Sequence, residues 1–173
     1  MAERAGLVTM KGKPVVLLGD DVAPGQAAPD FVAIDNDMNE VRLSSFRGKV
    51  VVLSAVPSLD TPVCSTETRR FNEEAGRLGD DVVVLTISMD LPFAQKRWCA
   101  AEGIKAVKTL SDHREAAFGR AYGVLIKDLR LLARAIFVAD RQGRLTYVQL
   151  VKEIASEPDY DAVLKAVRQA LGK

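Results

Sequence analysis

The chain has 173 residues, 48% of them apolar and 27% charged, which suits one globular domain long enough to bury a core. Lys and Arg number 24 against 23 Asp and Glu, so no net field draws the chain to nucleic acid or to an anionic membrane. The only histidine, His113, and two cysteines 35 positions apart match no zinc-ligand spacing, and a Ser-His-Asp hydrolase would rest on that one imidazole.

The segment from Met1 to Lys13 has too short an apolar stretch for a secretory signal, and nothing approaches the roughly 18 consecutive apolar residues of a membrane span. The expected compartment is the cytoplasm, where thiols are kept reduced and a static structural disulfide is not expected.

Leu7 to Leu18 reads as a β-hairpin, turning at Lys11-Gly12-Lys13-Pro14. Pro24, Gly25 and Pro29 mark an irregular connection. Phe31 to Ile34 and Val41 to Leu43 form a second short strand pair. Val50 to Val56 is a continuous apolar run, as in a strand buried on both faces; Val82 to Ile87 and Ala135 to Ala139 repeat the pattern.

Between these runs lie helical stretches. Over Thr61 to Leu78, Val63, Phe71, Ala75 and Leu78 share one face, and Glu67, Arg69, Arg70, Glu73 and Glu74 fall largely elsewhere. Pro92 to Glu102 opens with proline at a helix start, where its missing N–H costs nothing. Arg114 to Tyr122 predicts a shorter helix ended by Gly123. Leu145 to Leu150 is expected to pair with Ala135 to Ala139 across the Asp140–Gly143 turn. Tyr160, Val163, Leu164, Val167 and Leu171 make a single apolar stripe, the clearest helix of the chain. Strands alternating with helices, plus a terminal hairpin, predict an α/β fold with a mixed central sheet and one domain over residues 1–173.

The chemistry concentrates where the run Val50–Val56 gives way to a helix. Cys64 falls in that helix's first turn, where free N–H groups and the positive end of the helix dipole stabilise a thiolate. Thr61 can offer its hydroxyl to the sulfur or to an oxygen bound beside it. Taken from position alone, Cys64 could equally be a buried small hydrophobe, and Asp60 and Thr61 simple capping residues.

The spacing Pro57-x-x-x-Thr61-x-x-Cys64 resembles the active-site motif of peroxiredoxins. Longer strings resemble the thiol peroxidase (Tpx) subfamily: Pro-Ser-Leu-Asp-Thr-Pro-Val-Cys-Ser-Thr (57–66), Asp-Leu-Pro-Phe-Ala-Gln-Lys-Arg-Trp-Cys (90–99), Leu-Ala-Arg-Ala (132–135) and Glu-Pro-Asp-Tyr (157–160). Four such strings in order extend the resemblance over nearly the whole chain.

The resemblance implies a thioredoxin-like fold and a thioredoxin-dependent peroxidase of the atypical 2-Cys type. It implies Cys64 as the peroxidatic cysteine, attacking hydrogen peroxide or an organic hydroperoxide, and Cys99 as the resolving cysteine of the same subunit. Thr61 would bond the thiolate and orient the peroxide, Pro57 would shield the pocket, and Arg134 would reach in from a neighbouring strand. No metal or organic cofactor is implied; the implied partners are thioredoxin or a similar dithiol reductant and a second copy in a homodimer. Because Cys64 and Cys99 are placed on different helices, and a disulfide needs Cα atoms within about 7 Å, one or both segments are expected to unfold locally. The connector Leu125–Leu131 departs from the pattern: it is shorter than expected and lacks the Gly-Pro of many members.

Other residues rank lower. Trp98 and Phe93 are expected in core packing, His113 at a solvated helix start. Glu67, one turn from Cys64, is set aside because a carboxylate opposes a neighbouring thiolate. A thiol–disulfide oxidoreductase would need Cys-x-x-Cys, and Ser65, Thr66 and Glu67 follow Cys64 instead. A redox sensor shares the first chemical step with a peroxidase and is separated from it by turnover with a reductant. A non-catalytic binding module on the same fold would hold an unreactive Cys64.

Overall fold

The computed structural model describes residues 1–173. In chain order the elements are β1 (Glu3–Met10), β2 (Lys13–Leu18), β3 (Val32–Ile34), β4 (Glu40–Arg42), a 3-10 turn (Leu43–Phe46), β5 (Val50–Ala55), α1 (Pro62–Leu78), β6 (Val82–Ser88), α2 (Pro92–Glu102), β7 (Val107–Ser111), α3 (Ala117–Ala121), β8 (Leu125–Ile126), β9 (Ala135–Ala139), β10 (Leu145–Leu150) and α4 (Tyr160–Ala170).

Seven strands form a mixed sheet in the order β10-β9-β5-β6-β7-β3-β4. β5, β6 and β7 run parallel, and β9 lies antiparallel to β5. Every residue of β5 is buried, as expected for a strand covered on both faces. On one face α1 and α4 pack Phe71, Ala75, Val163 and Val167 against Val50, Val52, Val84 and Val138. On the other, Leu53, Leu85, Ile87 and Phe137 meet Phe31, Phe118, Tyr122 and the hairpin residues Val8 and Leu17.

The hairpin starts earlier than the alternation suggests, because Glu3 and Arg4 also pair with Leu18 and Leu17, across an irregularity between Arg4 and Val8. It joins a three-stranded sheet β1-β2-β8. Arg4 fixes it to the body by donating to the carbonyls of Gly19 and Gly123. Gly123, with φ of 65°, also has no room for a side chain, since a Cβ there would run into Arg4 and the Asp20 carbonyl.

One local expectation is corrected, and two segments take a form that the sequence pattern did not specify. The helix expected over Arg114–Tyr122 is only Ala117–Ala121. Ala116 adopts the left-handed region, and the Asp112 carboxylate takes the N–H groups of Phe118 and Gly119, so the chain enters the helix late. Val107–Ser111 is a strand that the sequence pattern did not reveal: Lys108 interrupts its apolar run, and it forms by pairing in parallel with β6. The connector Leu125–Leu131 is ordered at its start by β8, whose Leu125 and Ile126 pair with Leu18 and Leu17.

Candidate active site

Thr61 sits at the N-cap of α1 with extended backbone, and Pro62 follows at the first helical position. Cys64 thus falls in the first turn, beside N–H groups that lack intrahelical acceptors. Its side chain is fully buried against Val56, Leu59 and the partly buried Trp98. Both cysteines are free thiols.

The tertiary fold brings Arg134, at the residue before β9, to within 3.2 Å of the Cys64 sulfur through Nη2. The same guanidinium donates from Nε to the Ile154 carbonyl at 2.9 Å and from Nη1 to Glu67 Oε2 at 2.5 Å. Ser54 Oγ donates to the other Glu67 oxygen at 2.6 Å. Arg134 is 1% exposed and Glu67 not at all. A guanidinium held at two points, by Ile154 and Glu67, has one orientation, which directs an Nη2–H bond at the sulfur.

Glu67 is therefore the residue that the sequence argument misplaced. The sequence pattern puts it on the polar face of α1, as a neighbour hostile to a thiolate; in the fold its carboxylate pairs with Arg134 instead. Burial pushes its carboxyl up from the ordinary range, while Arg134 and Ser54 pull it back part of the way. Burial opposes the charge on Arg134 too, but Glu67 and then the Cys64 sulfur outweigh it, and the guanidinium is held still more firmly protonated. The available signal was that Glu67 lies three residues after Cys64, one helical turn along the same face.

Beside the first turn of α1 lies a largely apolar pocket of about 300 Å³, lined by Pro57, Thr61, Pro62, Val63 and Arg134, with Met10, Lys11, Ile154 and Ala155 from the hairpin tip and the segment after β10. Pro57, Thr61 and Arg134 thus converge on one cavity. Thr61 Oγ1 donates to the Ser58 carbonyl at 3.0 Å rather than to the sulfur. The hairpin's share of this wall has no local sequence signal. It depends on Glu153, whose carboxylate accepts from Thr9 Oγ1 and the backbone N–H groups of Lys11 and Gly12. Those bonds, Thr9's first, hold the Glu153 carboxyl down at about 2. No cluster of three or more His, Cys, Asp or Glu side chains is arranged to hold a metal ion.

Cys99 lies on α2, half-buried, its sulfur 3.4 Å from Thr109 Oγ1 on β7. It is not in contact with the Cys64 pocket. Of its neighbours, Trp98 turns toward Cys64, whereas Phe93 is 67% exposed and contributes nothing to the core, against expectation. His113 is partly buried beside Ser111 Oγ, ahead of α3 rather than on it.

The Redoxin family model matches residues 23–164. A thiol peroxidase of Oceanobacillus iheyensis is 59% identical over 157 residues, 91% of this chain and 95% of its own length. A thiol peroxidase of Halalkalibacterium halodurans is 53% identical over 164 residues, 95% of this chain and 98% of its own. The chain belongs to the thiol peroxidases of the redoxin family. The crystal structure of a peroxiredoxin-like protein from Aquifex aeolicus superimposes with a TM-score of 0.89 at 44% identity, covering 96% of this chain and 98% of that one. The thioredoxin-like fold expected of this family is thus present, with its mixed sheet, flanking helices and N-terminal hairpin.

Proposed function

We propose that this thiol peroxidase reduces hydroperoxides through Cys64, that Cys99 resolves the oxidised enzyme within the same subunit, and that thioredoxin or a similar dithiol returns it to the reduced form. The observation that carries this reading is the Arg134 Nη2 to Cys64 Sγ contact of 3.2 Å at the N-terminus of α1, where Arg134 also lines a pocket of small-substrate size. The helix N-terminus and the guanidinium both lie beside the sulfur, and the thiolate is the form of a thiol nucleophilic enough to attack oxygen.

In the first step the Cys64 thiolate attacks one peroxide oxygen. An S–O bond forms, the O–O bond breaks, and the departing alkoxide or hydroxide takes up a proton to leave as alcohol or water. Negative charge moves from sulfur to the leaving oxygen as this happens. Arg134, locked by Glu67 and the Ile154 carbonyl, offers fixed donors that need not reorganise as charge moves, the arrangement that contributes most in sites of this kind. Pro57 offers no N–H to compete for the peroxide, and Thr61 stands at the pocket rim, where turning its hydroxyl from the Ser58 carbonyl would present it to a bound oxygen.

In the second step the Cys99 thiol displaces water from the Cys64 sulfenic acid, giving a disulfide. Cys64 is buried on α1 and Cys99 is bonded to β7, so α2 must unwind locally before the sulfurs meet. A dithiol then reduces the disulfide. No helix is long and apolar enough to cross a membrane, and a cytoplasmic homodimer working with that reductant completes the proposal.

The test is peroxide-dependent NADPH oxidation coupled through thioredoxin and its reductase. Cys64→Ser is expected to abolish turnover, and Cys99→Ser to leave one unrecycled event. Sustained turnover in Cys64→Ser would overturn the assignment. A wild-type enzyme that reacts once and is not recycled by thioredoxin would instead favour a sensor or a different reductant.

A further inference from the structure

The underside of α2 differs from the rest of the sheet surface. Val107 packs with the α1 and α4 cluster, and Thr109, two residues on, shares its face. Thr109 is in register with Thr86 on β6, which is in register with Ser54 on β5. The row continues one step further with Ser88 beside Ser111. Gln95 of α2 donates to Ser88 Oγ and the Leu110 carbonyl. The hydroxyl of Thr86 and Oε1 of Gln95 are buried with no partner. Of these hydroxyls, Ser88 and Thr109 meet α2, through Gln95 and Cys99, whereas Ser54 bonds Glu67 of α1.

Within this row the hydrogen count at Thr109 has one solution. Thr109 Oγ1 lies 3.0 Å from Asn36 Oδ1, a carbonyl oxygen that only accepts, so the single hydroxyl hydrogen belongs to that bond. The 3.4 Å contact with Cys99 must then run from the thiol, with S–H donating to Thr109. Asn36 and Thr109 together therefore present a fixed acceptor to Cys99. All three residues border a cleft of about 330 Å³ between α2, β7 and the turn after β3.

We propose that Thr109, oriented by Asn36, is a positioning residue for resolution: it holds the Cys99 thiol docked on β7, and release of that hold governs how fast Cys99 reaches the Cys64 sulfenic acid. This rests on the assignment of Cys99 as the resolving cysteine. Breaking the S–H···O bond is part of every excursion of α2 from the sheet. Removing the acceptor leaves a half-buried thiol without a partner in the folded form and so favours the unwound form. The first chemical step lies elsewhere, at Arg134 and Cys64, and is unaffected.

The test follows the two steps separately after mixing reduced enzyme with peroxide in a stopped-flow instrument. Trp98, the only tryptophan, is adjacent to Cys99 and packs near Cys64, and its fluorescence is the signal. Disulfide is counted by mass spectrometry of acid-quenched samples. In Thr109→Val, sulfenic acid formation is expected at the wild-type rate and disulfide formation about three- to tenfold faster, the effect of one lost hydrogen bond. Thr109→Ser keeps the hydroxyl and should restore the wild-type second phase, which a purely structural effect of lost packing would not do. In a Cys64→Ser background, alkylation of Cys99 should quicken in Thr109→Val and not in Thr109→Ser.

A second phase in Thr109→Val that is unchanged or slower overturns the proposal, as does a Thr109→Ser enzyme as fast as Thr109→Val. If Cys99→Ser still recycles with thioredoxin, the resolving role itself is wrong. If Cys99→Ser reacts once while Thr109→Val resolves at the wild-type rate, only the role of Thr109 fails.

Discussion

Helices α1 and α2 each begin with a proline and each carry one cysteine, yet opposite forces hold them. α1 buries Cys64, Glu67, Thr68, Phe71 and Ala75, and its sulfur sits over an ion pair locked at both ends. α2 buries only Pro92 and Gln95. Its remaining ties are the partly buried Trp98 beside Cys64, side-chain hydrogen bonds, and exposed or half-exposed ion pairs, Lys96 with Asp37 and Glu102 with Arg69. Lifting α1 would expose apolar area and cost free energy in proportion to it, whereas hydroxyl–amide bonds and surface ion pairs are readily exchanged for water. The α1 side, proposed to hold the nucleophile, is therefore preorganised, and the α2 side, proposed to carry the resolving thiol, is the more detachable. A reaction that needs a fixed nucleophile first and a travelling thiol second requires that division.

The comparison can be broken most severely through stability. Phe71 lies in the α1–α4 cluster, edge-on to Tyr160 at 5.5 Å between ring centres. Phe71→Ala is expected to cost about 3–5 kcal/mol in denaturant unfolding. Phe93→Ala on α2 removes an equally large ring that is already exposed, and should stay within about 0.5 kcal/mol of wild type. Similar losses at both positions would mean that α2 is seated as firmly as α1.

Next comes the preorganised charge. Arg134→Met keeps volume but removes the donor to sulfur, and the second-order rate with peroxide should drop about 10²–10³-fold, the usual cost of one fixed donor at a developing charge. Double replacement with Glu67→Gln should recover stability without recovering rate, because it removes the buried unpaired carboxylate that the single change leaves behind. Stopped-flow rates and unfolding midpoints measured on both variants check this.

On the β7 side, burial raises the Asp112 carboxyl from 3.8 to about 6, against the N–H groups of Gly119, Phe118 and Ala117. A folded-state value above the unfolded one means that the native form binds the proton more tightly. The stability this group adds is complete below about pH 4 and is lost as pH rises through about 6. The change amounts to at most about 3 kcal/mol. Asp112→Asn should flatten that part of the pH–stability profile. If the wild-type and variant curves stay parallel between pH 4 and 7, the assignment is wrong.

The smallest effect is local. Amide hydrogens of α2 should exchange at least about tenfold faster than those in the middle of α1, since exposed, sparsely packed helices open with lower free energy. Equal protection would remove the basis for detachment of α2 as a separate step.

How much of this was legible beforehand depended on how local each signal was. The apolar runs of β5, β6 and β9 and the stripe of α4 announce themselves, since burial on both faces or on one helical face writes a period into the chain. α2 runs over Pro92–Glu102 as the proline and the terminal Gly103 indicate. β7 was not visible because its Lys108 and Thr109 break the apolar run, and its strand state comes from neighbours on the sheet. Glu67 was misjudged for the same reason: an acidic residue on a helix reads as solvated until a buried partner is known. Arg134 could be picked out only through its resemblance string, because 67 residues separate it from Glu67 and 70 from Cys64.

The sequence by itself determined the two thiols, the placement of Cys64 in the first turn of a helix after a buried strand, and the family to which the chain belongs. These follow from residue types at short spacing, which chain connectivity fixes before anything packs. The tertiary structure alone decided that the Arg134 guanidinium meets the sulfur with Glu67 behind it, that the hairpin tip walls the pocket, and that Cys99 rests on a hydroxyl of β7. Each of those contacts joins separate elements of the fold. Their geometry is set by strand order and helix packing, which no local pattern specifies.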